Sequence, residues 1–379
     1  MENFTAYNPV TLHFGKIMLS TLGTTLKEYG NRVLFVYGKG SIKKSGLYDR
    51  IIADLKSQGF EVCEYNGIKS NPAIEDVDAA AVVGRKNNVD VILAVGGGSV
   101  IDSSKIISVT IPVEHSGWNF FTGAKAFKAV PIVAVLTLAA TGTEMNPFAV
   151  VSNHALGQKS AFGSPLTFPK HSFLDPALTL TVPRDYTAYG IADLIAHCFE
   201  AWFGIGDTTL ADRFVISIIK EAMKYGPMLL GDLQNYEYRE KIMFAATMAL
   251  NGMTMYGRST GDWGVHSAGH ILSLLYDVPH GASLTIVYPA WMRRFKDRIA
   301  DRIAQLGSAL FDEPLTADQS IVRIETFFKS IGCPVRLSDL NIAGDLRKPI
   351  FESMVHNKVN GGNVRMLEED YSKLIGLFL

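Results

Sequence analysis

The chain has 379 residues, which is long enough for two domains with a large buried core. Hydrophobic residues make up 47% and charged residues 19%, values typical of globular proteins. The net charge of −1 provides no field that would attract nucleic acid or an anionic membrane, so we expect neither as a partner and favour small-molecule chemistry.

The three cysteines, Cys63, Cys198 and Cys333, are odd in number and widely spaced. They match neither a disulfide framework nor a zinc ribbon. The N-terminal segment lacks the basic residues followed by an apolar stretch that mark a signal peptide. No apolar run reaches the length of a membrane span. These features predict a cytoplasmic protein.

The N-terminal half alternates short apolar segments with longer amphipathic ones. The apolar segments are continuous, as buried parallel strands are, and comprise residues 33–37, 90–95 and 131–137. The segments between them have helical periodicity and comprise residues 47–58 and 74–87. This succession predicts an α/β dinucleotide-binding domain with a parallel, Rossmann-like sheet over residues 1–182.

A turn follows the first strand at Gly38, Lys39, Gly40 and Ser41. A fold that selects NAD often has an acidic residue here for the ribose 2′-hydroxyl. This turn has none, and Lys43 and Lys44 come just after it. Open backbone, a hydroxyl and cations favour a 2′-phosphate, so we predict NADP(H) over NAD(H). The alternative is that these lysines are simply solvated.

A glycine-rich turn follows the second strand at residues 96–99. Gly97 and Gly98 let the backbone approach a ligand closely, and Ser99 is expected to cap the next helix, whose N-terminus favours an anion. The motif is neither GxGxxG nor a P-loop, and glycine runs also occur in plain tight turns. Its place after a buried strand favours phosphate binding.

A third turn, after residue 136, offers the hydroxyls of Thr137, Thr141 and Thr143. Alternating residues in 150–162 then predict a hairpin that carries Lys159 toward a ligand cleft. A last strand and its turn are expected within residues 173–180.

Strand patterns nearly vanish after Pro183, so an all-helical domain is expected over residues 183–379. The predicted helices comprise residues 185–203, 209–225, 238–255, 263–275, 282–295, 299–310, 317–331 and 368–378.

Acidic and histidine side chains recur at helical spacing in this half. Asp193 and His197 stand four residues apart, so they share one helix face. His266 and His270 repeat the spacing, and His280 follows shortly after. A lone histidine on an apolar helix is usually a core residue, but a carboxylate among apolar neighbours is costly to bury unless it is paired or coordinated. The set predicts a divalent-metal site.

Four motifs together resemble the iron-containing (group III) alcohol dehydrogenase family. They are GGGSxxD at 96–102, TxxxTGTE at 137–144, DxxxH at 193–197, and HxxxH…PHG at 266–281. The resemblance covers essentially the whole chain, and the lysine-containing first turn resembles the NADPH-dependent butanol dehydrogenase and aldehyde reductase branch. It implies a dehydroquinate synthase-like fold, with cofactor and metal between the two domains, and a homodimer.

The resemblance also assigns roles to individual residues. It implies metal ligation by Asp193, His197, His266 and His280, and it places His270 near the substrate. The implied cofactor contacts, besides the first turn, are Asn71, Gly97, Gly98, Ser99, Asp102, Thr137, Leu138 and Lys159.

One carboxylate and three imidazoles suit Fe(II), Zn(II), Mn(II), Co(II) or Ni(II), and the resemblance favours Fe(II). The expected reaction is hydride transfer between NADP(H) and a primary alcohol or aldehyde such as butanol or butyraldehyde, with His270 as proton relay or as a structural residue. The alternatives are a glycerol dehydrogenase-like polyol oxidoreductase, a dehydroquinate synthase and a non-catalytic NADP- or metal-binding protein.

Overall fold

The computed structural model describes residues 1–342 and 344–379, and these divide into two compact units. One unit is Asn8–Val182; the other joins Met1–Tyr7 to Pro183–Leu379. The first seven residues thus differ from the prediction, which assigned them to the α/β domain. The Glu2 N–H donates to the carbonyl of Gly257 (2.9 Å) and Phe4 stacks on Tyr256, and these contacts join the N-terminus to the helical unit.

The α/β unit contains one parallel sheet and one hairpin. Its strands are β1 Thr11–Phe14, β2 Arg32–Gly38, β3 Glu61–Ile68, β4 Val91–Gly96, β5 Ile132–Leu136, β6 Phe148–Asn153, β7 Gln158–Gly163 and β8 His171–Leu174. The parallel sheet has the order β1-β8-β5-β4-β2-β3, and β6 pairs with β7 in an antiparallel hairpin. The predicted Rossmann-like sheet and the hairpin are confirmed.

The centre of this sheet is apolar because its strands are covered on both faces. All residues of β4 and β5 are buried. The helices of the unit are α1 Leu22–Lys27, α2 Ser41–Lys44, α3 Leu47–Ser57, α4 Ile74–Lys86, α5 Gly98–Thr110 and α6 Trp118–Phe121. Strand β2 lies between β3 and β4, so the chain leaves it to one side and returns on the other. The carboxyl ends of β2 and β4 therefore border the crevice where such sheets bind ligands.

The other unit is helical. Its helices are α7 Arg184–Trp202, α8 Thr209–Gly231, α9 Tyr236–Ala249, α10 Gly264–Tyr276, α11 His280–Phe311, α12 Ala317–Ser330, α13 Arg347–His356 and α14 Glu368–Phe378. The two predicted helices 282–295 and 299–310 are halves of α11, which has a non-helical residue at Ile299. Within the described residues, no helix combines the length and apolar character that a membrane crossing requires.

Helices α7 and α11 pack backbone to backbone at Gly281. A Cβ atom on Gly281 would lie 2.1 Å from the carbonyl oxygen of Tyr189 and 3.0 Å from its Cα. Only glycine fits this contact, and Tyr189 lies one helical turn before Asp193. The first turn of α11 is therefore held directly against α7.

Replacing Gly281 with alanine should destabilise the helical unit by roughly 1–3 kcal/mol, because the methyl group must push two backbones apart. Calorimetry should show a lower Tm for Gly281→Ala. Gly231→Ala is the matched control, because a Cβ at this helix end meets no atom within 4 Å. Equal Tm values for both variants would contradict the close packing.

Candidate functional site

Three helices of the helical unit bring the predicted metal-binding side chains together. Helix α7 carries Asp193 and His197, α10 carries His266, and α11 begins with His280. One ligand atom from each of these four residues lies within 4.8 Å of the others. Atoms on opposite sides of one ion, each about 2.1 Å from it, are about 4.2 Å apart, so a small contraction brings all four into coordination range.

The individual distances describe a compact cluster. The Asp193 Oδ1 atom is 3.7 Å from His197 Nδ1 and 3.6 Å from His280 Nε2. The ring centroids of His197 and His266 are 4.8 Å apart, and those of His266 and His280 are 5.2 Å apart. His270 joins the edge of this group, with its ring 5.5 Å from that of His280.

Burial determines the protonation of the inner imidazoles. Desolvation, with a smaller effect of His266, lowers the pKa of His197 well below its usual value. Desolvation alone lowers the pKa of His266 to about 3. Both rings are therefore neutral at pH 7 and can offer lone pairs. His197 Nδ1 and His266 Nε2 are buried and accept or donate no hydrogen bond within the described residues. These nitrogens fit a bound metal ion.

His280 differs from the other three residues because its side chain is 26% exposed, compared with 3% for Asp193. His280 therefore marks the side of the cluster through which an ion or a small molecule can enter.

Glu200, which the sequence analysis missed, lies one turn beyond His197 on α7. Its carboxylate accepts a hydrogen bond from the ring of His266 (2.6 Å) and from the backbone N–H of Trp263. Burial raises the pKa of Glu200 to about 7, against the lowering effect of its hydrogen bonds. The signal was present in the sequence: an acidic residue at i+3 from His197 extends the same polar stripe of an apolar helix.

In the α/β unit, the predicted cofactor residues gather at the carboxyl edge of the sheet. A Cβ on Gly97 would lie 3.2 Å from the Cβ of Leu138, and one on Gly98 would lie 2.6 Å from the hydroxyl oxygen of Thr141. The Thr137 N–H donates to the carbonyl of Gly96 (3.0 Å). The second and third turns are thus in contact, and they need glycine where they meet.

Ser99 does not cap helix α5, which corrects the prediction. The helix begins at Gly98 and is preceded by Gly97, so Ser99 already lies in the first helical turn. Its hydroxyl donates to the carbonyl of Ser70 instead. This bond fixes the segment that carries Asn71.

Asn71 and Lys159 are brought together as buried partners. The Lys159 ammonium donates to the Asn71 side-chain oxygen (2.9 Å), and both residues are less than 10% exposed. The hairpin reaches this segment through a bridge between Ala73 and Ser152. Lys159 therefore lies beside the segment that follows β3, at the edge of the sheet where the sequence analysis expected a ligand cleft.

Asp102 lies in a buried polar network behind these turns. Its oxygens accept hydrogen bonds from the Thr143 hydroxyl (2.5 Å) and the Val150 N–H (2.9 Å). Lys105, fully buried on the same helix, donates to Thr143 (2.5 Å) and to the carbonyl of Phe148 (2.6 Å). Burial raises the pKa of Asp102 and lowers that of Lys105 to about 8. In the structure, Asp102 thus links helix α5 to the third turn and to strand β6 by hydrogen bonds. Its contact with the cofactor stays a prediction.

The first turn is open to solvent. Gly40 has φ +157° with no atom near its missing Cβ, and Lys39, Ser41 and Lys44 are exposed. The Lys43 ammonium lies 4.6 Å from the ring centroid of Tyr48. Below it, Glu64 on β3 accepts hydrogen bonds from the hydroxyls of Tyr37 (2.7 Å) and Tyr48 (2.9 Å). This acidic group was not predicted from the sequence, because strand β3 itself was not predicted.

Comparison with known families matches nearly the whole chain. Residues 9–176 match the family described as iron-containing alcohol dehydrogenase, and residues 187–374 match the C-terminal domain of the Fe-containing alcohol dehydrogenase family.

Individual relatives cover the chain almost end to end. The chain is 40% identical over 381 residues to a probable NADH-dependent butanol dehydrogenase 2 of Bacillus subtilis, covering 98% of this chain and 97% of the relative. It is 36% identical to the NADPH-dependent aldehyde reductase YqhD of Escherichia coli, and the match covers 91% of this chain and 90% of the relative. A crystal structure of NADH-dependent butanol dehydrogenase A from Thermotoga maritima superposes with a TM-score of 0.96 at 34% identity, covering 100% and 99%. The chain belongs to the iron-containing alcohol dehydrogenase family.

Proposed function

We propose that this protein is a metal-dependent alcohol dehydrogenase and aldehyde reductase that interconverts a primary alcohol and its aldehyde, such as butanol and butyraldehyde. The observation that carries the proposal is the convergence of four ligand atoms within 4.8 Å in the helical unit. Relatives named butanol dehydrogenase and aldehyde reductase, similar over nearly their full length, support the substrate class.

The proposed ligands are Asp193, His197, His266 and His280. A carboxylate oxygen with three imidazoles and no thiolate suits a borderline divalent cation. We propose Fe(II), in line with the family, with Zn(II) and Ni(II) as the alternatives that metal analysis distinguishes. When bound, the metal supplies Lewis acidity at the substrate oxygen and the nicotinamide supplies or accepts the hydride. The chain contributes four converging donor atoms, three of them on buried side chains, and an entry side at His280.

Removing the metal should abolish the oxidation of NADPH by butyraldehyde, and restoring Fe(II) or Zn(II) should recover it. His266→Ala should lose the bound metal and turnover, because one buried donor disappears, yet still bind NADPH. Absorbance at 340 nm, metal analysis and NADPH fluorescence measure the three quantities.

His154→Ala, at an exposed site in the α/β unit, serves as control. Unchanged activity after complete chelation would contradict the proposal. A glycerol dehydrogenase-like enzyme would instead prefer glycerol in the same assay, and a non-catalytic binding protein would turn over neither substrate.

We further propose that NADP(H) is the preferred cofactor. Residues 38–48 contain three lysines and no acidic residue. Lys39, Lys43 and Lys44 are all exposed, and so is the hydroxyl-bearing Ser41. These groups suit a 2′-phosphate. Relatives carry both kinds of name, since those of B. subtilis are called NADH-dependent and YqhD is called NADPH-dependent.

Gly38→Asp should lower the ratio of kcat/KM for NADPH to that for NADH by about tenfold or more, since 1.4 kcal/mol of repulsion suffices for that factor. The substitution is sterically mild, because a Cβ on Gly38 lies 3.4 Å from the nearest atom, the carbonyl oxygen of Ile68. Gly38→Asn, equal in size but uncharged, should leave the ratio much closer to that of the wild type. If Asp and Asn change the ratio equally, charge at this turn does not select the cofactor.

We propose His270 as the proton relay. Its ring lies beside that of His280 at the more exposed side of the cluster, which is where a substrate would approach.

His270→Ala should lower kcat by about 10²–10⁴-fold, the usual contribution of general acid–base catalysis, while the metal content stays unchanged. Added imidazole should restore part of kcat. A variant with the wild-type kcat, or one that loses its metal, would show that His270 is structural instead.

We also propose a homodimer and a cytoplasmic location, both on the basis of the family resemblance and the composition. Light scattering of the purified protein tests the first, and fractionation of cells tests the second.

A further inference from the structure

Glu200 is not one of the four proposed metal ligands, but it makes several hydrogen bonds around one of them, His266. Only 1% of the residue is exposed, and both carboxylate oxygens are used. One oxygen accepts hydrogen bonds from the His266 ring at Nδ1 (2.6 Å) and from the His266 backbone N–H (3.2 Å). The other accepts a hydrogen bond from the Trp263 N–H. Glu200 therefore contacts both the side chain and the backbone of one proposed ligand.

The ring contact determines which nitrogen of His266 can bind a cation. The Glu200 oxygen that faces the ring also accepts the His266 backbone N–H, so it acts as an acceptor there, and the Nδ1 atom carries the proton of a neutral ring. The lone pair is then on Nε2, which is the buried nitrogen without a hydrogen-bond partner in the described part of the chain. Without Glu200 the ring could place its proton on either nitrogen, or rotate.

The backbone contacts fix where helix α10 begins. Trp263, which precedes this helix, has the left-handed φ of +63°, a conformation that costs a non-glycine residue about 1–2 kcal/mol. The first N–H groups of a helix have no partner within it and attract a negative group. Glu200 supplies that group from α7. It thereby fixes His266 in the first turn of α10, opposite His197 on α7.

Asp262 supports the same turn from the other side. Its carboxylate accepts hydrogen bonds from the Gly264 N–H (3.0 Å) and the Asn363 N–H (3.1 Å), while its own N–H donates to the Glu200 carbonyl (3.0 Å). Within the described residues, its carboxylate makes no hydrogen bond to a proposed metal ligand. The ring of His266 is oriented by Glu200.

We propose that Glu200 is a positioning residue for the metal centre, which holds His266 as the Nδ1–H tautomer with Nε2 directed at the ion. This inference rests on the proposed metal-dependent function. A carboxylate behind a metal-binding histidine fixes the orientation of the ring and raises its basicity, and loss of such a partner commonly lowers metal affinity 10–100-fold.

The first test needs no metal. In stripped wild-type protein with ¹⁵N-labelled histidine at pH 7, long-range ¹H–¹⁵N NMR spectra should show His266 as the Nδ1–H tautomer, with the signal assigned by its absence in His266→Ala. Glu200→Gln, whose amide can also donate, should shift His266 toward the other tautomer. An Nε2–H ring in the wild type would overturn the inference, whatever the enzyme does.

The second test measures affinity for Zn(II) by competition with a chelator. Glu200→Gln should raise the Kd about 10–100-fold. Glu200→Asp keeps the charge but is too short to span both contacts, so a smaller rise is expected, and it provides a second variant if the first folds poorly.

The matched control is Asp370→Asn. Asp370 is fully buried in the same unit, pairs with Arg294 and Arg298, and accepts a hydrogen bond from the Leu367 N–H. In the described part of the chain it has no hydrogen bond or ion pair with the four proposed ligands. Its loss should lower the Tm of the metal-free protein and leave the Kd for Zn(II) unchanged. Equal changes of Kd in both variants, or none in Glu200→Gln, would contradict a positioning role. If the wild type itself binds no Zn(II), the proposed function fails, but the tautomer still tests Glu200.

Discussion

The desolvated carboxylate of Asp193 is the constraint on which the helical unit depends. A buried carboxylate needs a compensating positive charge, because desolvation strongly disfavours an isolated ion. The buried rings of His197 and His266 do not supply it at pH 7, since burial lowers the pKa of both. A divalent cation held by all of these groups would compensate the charge of Asp193 directly. The electrostatic argument and the ligand geometry therefore lead to the same conclusion.

The arrangement of helices follows from the same requirement. The donors come from three helices, so the separation of those helices must be set to within a fraction of an ångström for one ion to reach every donor. Close backbone packing at Gly281 fixes α11 against α7, and Glu200 links α7 to the start of α10. In the α/β unit glycine plays a similar part, since Gly97 and Gly98 let two turns meet at the carboxyl edge of the sheet. In both units, glycine allows two segments of backbone to approach closely, and this approach sets the distances between the functional side chains that the segments carry.

Much of this structure could be predicted from sequence because its signals are local. Strands β2, β4 and β5 are continuously apolar, and the i,i+4 spacing identified the cluster on α7 and α10. Strand β3 was missed because Glu61, Glu64 and Asn66 interrupt its apolar pattern at an edge of the sheet. Helix α8 was predicted to end before Pro227, yet it continues to Gly231, and α13 was missed although its Pro349 lies in the tolerated first turn. Glu200 and Lys105 act through partners far away in the chain, and spacing alone does not reveal such contacts.

Anomalous diffraction from crystals grown anaerobically with Fe(II) tests the central claim most directly. Data collected on both sides of the iron absorption edge should show one strong peak per chain, about 2.0–2.3 Å from an oxygen of Asp193 and from a nitrogen of each of His197, His266 and His280. A peak elsewhere, or a fully iron-loaded protein in which one of these four side chains points away from the ion, would contradict the account.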